Sequence, residues 1–322
     1  MKRVIIFTIS LAFTLSSVFA QSQNTATAER VTPLTSGSSN VSYYCNTPLP
    51  YKPEKLDVLF IGNSFSIDTS SALPEIFNSL GIKNVNVYCL YKGGCSLKQH
   101  YELFKNGKKE YELYQYNYLG EKQLEKKIGI REVMRRYQYD VVIFQQYSGD
   151  SGDYATYEPY LSKLMQAYAI TNLSPRTTFA FNQTWSWSSK HKSISKYKTP
   201  YNMYQSIVNA SKKMKTNSGI DIIIPCGTAV QNARSASVLK TSNEFTRDNQ
   251  HIDLYMGRYL LGCTFFETII APCLQRNIRE DITIMGGKEG QTAVNNDTRS
   301  ILQNCARLAV ANNFEVCEFA GQ

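Results

Sequence analysis

Short, largely apolar runs at regular intervals constrain this chain more than any other feature. They lie at Asp57–Ile61, Val85–Leu90, Asp140–Phe144, Thr177–Phe181 and Asp221–Ile224, the last closed by Pro225. Each has strand length and no polar alternation, so each reads as a strand covered on both faces. Helical patterns fall between and after them, over 72–80, 130–137, 157–170 and 201–215, then 254–270 and 292–312. The stretch 254–270 is apolar nearly all round, which marks a helix buried on most sides. This alternation predicts an α/β fold, a three-layer α/β/α sandwich around a central, mainly parallel five-stranded sheet. Between 101 and 129 the rhythm breaks, and alternating Tyr114, Tyr116 and Tyr118 suggest an inserted strand or hairpin. Ligands on such sheets bind at the carboxyl ends of the strands, so the loops there are where chemistry is sought.

The first twenty residues read as an export signal rather than as fold. Lys2 and Arg3 precede an apolar run, Val4 to Leu15, too short to span a bilayer comfortably, and Val18-Phe19-Ala20 forms a small-residue cleavage site. Gln21 to about Pro53 is rich in Ser, Thr, Asn and Pro and reads as a flexible arm. The expected organisation is therefore signal peptide 1–20, arm 21–55 and one domain 56–322, with the mature protein periplasmic or secreted and without a stable membrane span.

An exported chain can form disulfides, and there are eight cysteines. No C-x-x-C occurs, which argues against a metal framework. Cys89 and Cys95 are close enough in sequence to pair, as are Cys305 and Cys317, while Cys263 falls in an apolar helix as a buried thiol. The net charge of +9 drops to +7 when Lys2 and Arg3 leave. The remaining charges are scattered, with no recognition motif beside them, so nucleic acid is a poor partner. A basic balance suits acidic polysaccharides, though an ordinary solvated surface explains it more simply.

Four loop segments carry groups with chemical potential. Ile61-Gly62-Asn63-Ser64-Phe65-Ser66 follows the first strand, where a glycine-entered turn can expose a serine beside backbone N–H groups. Gly93-Gly94-Cys95-Ser96 follows the second, where a glycine lets a backbone N–H approach a substrate oxygen. Gln145-Gln146-Tyr147-Ser148 follows the third and offers amide donors. Asp248-Asn249-Gln250-His251 lies far downstream and places a carboxylate where it can orient an imidazole. Each alone is ordinary turn chemistry. His100 and His191 lack an acidic partner at that spacing and receive no role.

Taken in order, these blocks resemble the four motifs of the SGNH (GDSL-type) hydrolases over about residues 57 to 270. Ile-Gly-Asn-Ser-Phe-Ser, Gly-Gly-Cys-Ser-Leu, Gln-Gln and Asp-x-x-His followed by Gly257-Arg258-Tyr259-Leu260 look like one bacterial branch of that superfamily. The resemblance implies a flavodoxin-like layering and a serine esterase without metal or organic cofactor. In it Ser64 is the nucleophile, His251 the base and Asp248 its orienting carboxylate. Ser64 N–H, Gly94 N–H and a side-chain amide form the oxyanion hole. Two departures stand out: Asn63 replaces the usual aspartate, and the asparagine expected around Tyr147 is missing. Gln146 is the substitute donor, with Gln145 the alternate.

Trp185 and Trp187 follow the fourth strand at alternate positions and can stack on a sugar ring, and Asn63 is placed beside the substrate; packing explains the tryptophans equally well. The resemblance favours O-acetyl groups on a carbohydrate as substrate, with lipid or aryl esters next. Two other readings remain open: a carbohydrate-binding module with little turnover, and a weaker one, a metal site at Asp248, His251 and Asp253.

Overall fold

The structure, a computed structural model, describes residues 53–172, 176–239, 244–274 and 294–317. The chain divides into Met1–Ser42 and Tyr43–Gln322, and the expected signal peptide and nearly all of the arm lie outside the described residues.

Strands β1 (Leu56–Gly62), β2 (Val85–Tyr91), β5 (Val141–Phe144), β6 (Thr178–Asn182) and β7 (Ile222–Ile224) coincide with the apolar runs. They pair in parallel in the order β2-β1-β5-β6-β7. Among the described residues the sheet has seven strands rather than five. The irregular stretch forms a hairpin of β3 (Tyr111–Asn117) and β4 (Gly120–Ile128), whose β3 adds antiparallel to β2. Tyr111, Leu113 and Tyr116 of β3 are fully buried, so apolar burial recruits the hairpin to the sheet edge.

Alternate residues of each parallel strand enter separate cores, because successive side chains point to opposite faces. Val58, Phe60, Val87 and Ile143 join one cluster, and Leu59, Ile61, Leu90 and Phe144 the other. The first lies under α1 (Ser64–Ser70), α2 (Leu73–Ser79), α7 (Cys226–Ser235), α8 (Met256–Phe265) and α10 (Asn296–Ala311). A π-helical turn, Phe266–Ile270, joins α8 to α9 (Ala271–Leu274). The second core is covered by α3 (Leu97–Asn106), α4 (Ile130–Arg136), α5 (Tyr160–Thr171) and α6 (Pro200–Ser218). The expected three-layer α/β/α class is what the chain adopts.

Cys89, Cys95, Cys226, Cys263, Cys305 and Cys317 are free thiols. Cys89 belongs to one core and Cys95 to the other, so the sheet itself stands between them. Cys305 and Cys317 are not bonded either. Asn232 links their backbones instead, donating to Cys305 O at 3.1 Å and accepting from Cys317 N at 2.9 Å. Among the described residues no helix is long and apolar enough to cross a membrane.

Candidate active site

The chain leaves β1 at Gly62 and turns at once into α1. A Cβ on Gly62 would fall 2.0 Å from Ser66 Oγ and 3.3 Å from the Gln145 amide carbon, so only glycine allows this close approach. Asn63 caps α1, its Oδ1 accepting from Phe65 N at 3.0 Å. Ser64 is therefore the first helical residue, its N–H among those a helix leaves without an intrahelical acceptor.

His251 arrives on the segment 244–253, closed by an antiparallel bridge between Thr246 and Ile252. Ser64 Oγ lies 2.8 Å from His251 Nε2, and His251 Nδ1 lies 2.6 Å from Asp248 Oδ2. With Nδ1 protonated and donating to the carboxylate, Nε2 is free to accept the serine hydroxyl. Asp248 Oδ1 accepts from His251 N at 2.7 Å and Gln250 N at 3.1 Å. Partial burial pushes the Asp248 carboxyl upward, but these hydrogen bonds outweigh it and hold the group below the usual carboxylate range. The charge that orients the ring thus persists into mildly acidic solution.

Backbone strain is concentrated in the base loop. Glu244, Phe245 and Asn249 all have positive φ, at 52°, 63° and 69°, and only the asparagine tolerates this readily. The surroundings hold it there. Arg234 Nε donates to Glu244 O, Ser188 N donates to Asn249 O, and Trp185 Nε1 donates to Gln250 O, at 3.1, 3.0 and 2.9 Å.

Several expected substrate contacts are structural instead. Trp185 is fully buried and stacks on Phe65 at 4.0 Å, so it braces the loop and cannot meet a sugar. Trp187 is 5% exposed, packs beside Met203 and Ile207, and stacks on His191 at 3.9 Å. Asn63 is buried too. Besides capping α1, it donates to Cys95 O at 3.0 Å and pins the Gly94 loop against the Ser64 turn.

Neither glutamine replaces the missing oxyanion donor. Gln146 is buried, and its Nε2 donates to Thr156 O and Thr156 Oγ1 at 2.9 and 3.0 Å. Its Oε1 accepts from Leu97 N and Tyr147 N. Gln145, equally buried, donates to Asn63 Oδ1 at 2.6 Å and accepts from Ser66 Oγ at 2.5 Å. Burial forces both amides to find protein partners, and those partners are the loops themselves. Of the two backbone N–H groups, that of Ser64 lies at the start of α1 and that of Gly94 in a left-handed turn at φ 62°.

Asp253 does not join His251 in a metal site. Its carboxylate turns to α8, accepting from Tyr255 N at 3.0 Å and Gly257 N at 2.9 Å. Among the described residues no three His, Cys, Asp or Glu side chains gather as metal ligands. His191, given no role from sequence, lies near Gln250 and Asp248. Its signal is spatial, since it stands 57 positions before Asp248 in a lysine-rich stretch.

All four sequence blocks therefore meet at one end of the parallel strands. Asn63 bonds the second and third blocks, and Ser64 meets the fourth. The SGNH-type resemblance carries through into three dimensions in this arrangement. Comparison with known proteins agrees on the fold. The crystal structure of a DUF4886 family protein from Bacteroides uniformis superposes with a TM-score of 0.72 at 29% identity, covering 83% of this chain and 98% of that one. Two others are more distant. A candidate SGNH hydrolase from Slackia heliotrinireducens has a TM-score of 0.46 at 17% identity, over 67% of this chain and 99% of that one. A GDSL-like lipase from Bacteroides thetaiotaomicron has 0.40 at 14%, over 71% and 92%. No curated protein matches the sequence. The family described as a domain of unknown function, DUF4886, matches residues 57–297, and the chain belongs to it.

Proposed function

We propose that this protein is an exported serine esterase. The observation that carries the reading is the unbroken line from Ser64 Oγ through both nitrogens of His251 to Asp248, with no gap above 2.8 Å. His251 takes the Ser64 proton as the oxygen attacks the ester carbonyl, and Asp248 stabilises the imidazolium. The oxyanion rests on the N–H groups of Ser64 and Gly94. His251 then returns the proton to the departing alcohol. Water, deprotonated by the same ring, releases the acyl group and restores the serine.

Purified mature protein tested on p-nitrophenyl acetate decides the reaction class. Ser64→Ala is expected to lower kcat/KM by about 10⁴-fold or more, and chelator to leave turnover unchanged. Turnover surviving the substitution rejects the serine mechanism.

The favoured natural substrate is an O-acetyl group on a carbohydrate, supported by the SGNH resemblance and tested by acetate release from acetylated glycans. A second reading, a sugar-binding module with little turnover, draws on a groove of about 710 Å³ away from the triad. Tyr201, 45% exposed, offers a ring face there, beside the amides of Gln205, Asn209 and Gln231. Glycan binding with no acetate released would favour it.

A further inference from the structure

We propose that Asp68 and Arg247 form a clamp that sets the distance between Ser64 and His251. The clamp rests on the esterase reading above and adds positioning residues to it. Asp68 lies one turn beyond Ser64 on α1, so its carboxylate and the nucleophile move as one rigid piece. That carboxylate is wholly buried, and ionised groups in such places require charged partners. Two guanidiniums reach it from different elements. Arg247 Nη1 donates to Oδ1 and Oδ2 at 3.1 and 2.9 Å. From α8, Arg258 donates to Oδ1 through Nε at 2.9 Å and Nη2 at 2.7 Å.

The two arginines do different things. Arg247 immediately precedes Asp248 and holds the base loop internally, its N–H donating to His251 O at 2.9 Å and its Nη1 to Ile252 O. One residue, through its backbone N–H and its guanidinium, thus ties both ends of the D-x-x-H turn to the helix that carries the nucleophile. Arg258 joins the same carboxylate to α8, which bears no member of the triad. Asp68 touches no solvent and cannot meet substrate, so any effect on turnover passes through the geometry of Ser64 and His251.

Arg247→Gln and Arg258→Gln each remove one cation from one carboxylate, which makes them matched variants. The readouts are p-nitrophenyl acetate kinetics, the rate of Ser64 trapping by a fluorophosphonate, and Tm. A clamp predicts that Arg247→Gln lowers kcat about 100-fold and slows trapping to match, with KM changed by less than about twofold. Arg258→Gln is expected to lower Tm at least as far while holding kcat within about fivefold. Equal kcat losses that track Tm in both variants, or a wild-type kcat in Arg247→Gln, overturn the proposal. Should Arg247→Gln fail to fold, Arg247→Met keeps the length of the side chain without its cation or its donors, and a wild-type kcat there overturns it equally. Ser64→Ala in the same assay separates the two readings. A dead Ser64→Ala beside a fully active Arg247→Gln removes the clamp alone, whereas an active Ser64→Ala removes both.

Discussion

Asp253 stands two residues beyond His251, yet it acts on stability rather than on the reaction. Burial raises its carboxyl from the usual 3.8 to about 6, against two backbone N–H donors that favour the charged form. Between those values the folded chain holds a proton that the unfolded chain has released, so this group's contribution to stability falls as pH rises through that window. Tm measured from pH 4 to pH 6 should show Asp253→Asn gaining on the wild type as pH increases. A constant difference would mean that Asp253 is ionised throughout. At this scale the sequence was legible where spacing fixes geometry. Asp248 and His251 share one tight turn, and Gly62 must be glycine for Ser64 to sit where it does. Gln146 was misdirected, and Trp185 and Trp187 were left between two roles, because residue type shows capability and not direction. An amide or indole donates equally well to substrate and to a neighbouring loop, and burial chooses the loop.

Trp185 acts on an element, the base loop, whose strained turns persist only under external restraint. Trp185→Phe keeps the stack on Phe65 and deletes only the hydrogen bond to Gln250 O, leaving that carbonyl without its partner. The expected outcome is a loss of about 1–3 kcal/mol in thermal or denaturant unfolding, with kcat reduced about tenfold and KM nearly constant. A rise in KM alone would assign the indole to binding. Most of the longer helices were foreseen, but α1, α3 and α7 were not. Ser64–Ser70 is short and polar, with Ser66, Asp68, Thr69 and Ser70 all buried, so no apolar stripe exists to read. Cys226–Ser235 packs mostly small side chains on nearly every side, and its period is lost for the same reason. The uniform helix expected over 254–270 starts at Met256, where Asp253 supplies the cap, and passes into a π-helical turn at Phe266.

For the whole molecule, the apolar runs contained the parallel sheet, and what they omitted was its boundary. Strand β3 alternates polar residues and buries one face only, and β4 buries little beyond Ile128, so they read as a break in rhythm. Their placement protects β2, whose backbone would otherwise be an open edge. Replacing 109–129 by a short Gly/Ser linker should therefore give a chain that elutes as oligomer or aggregate in size-exclusion chromatography. A stable monomer would show that the hairpin is dispensable. The described cysteines, most of them sealed in the two cores, bring a last consequence. Burial raises the Cys95 and Cys226 thiols to about 12 and the Cys89 and Cys263 thiols further, so almost no thiolate exists to react while the chain is folded. Heat releases them together. In air the loosened chains then stitch to one another through sulfur, and whether the protein returns on cooling depends on the reductant in the tube.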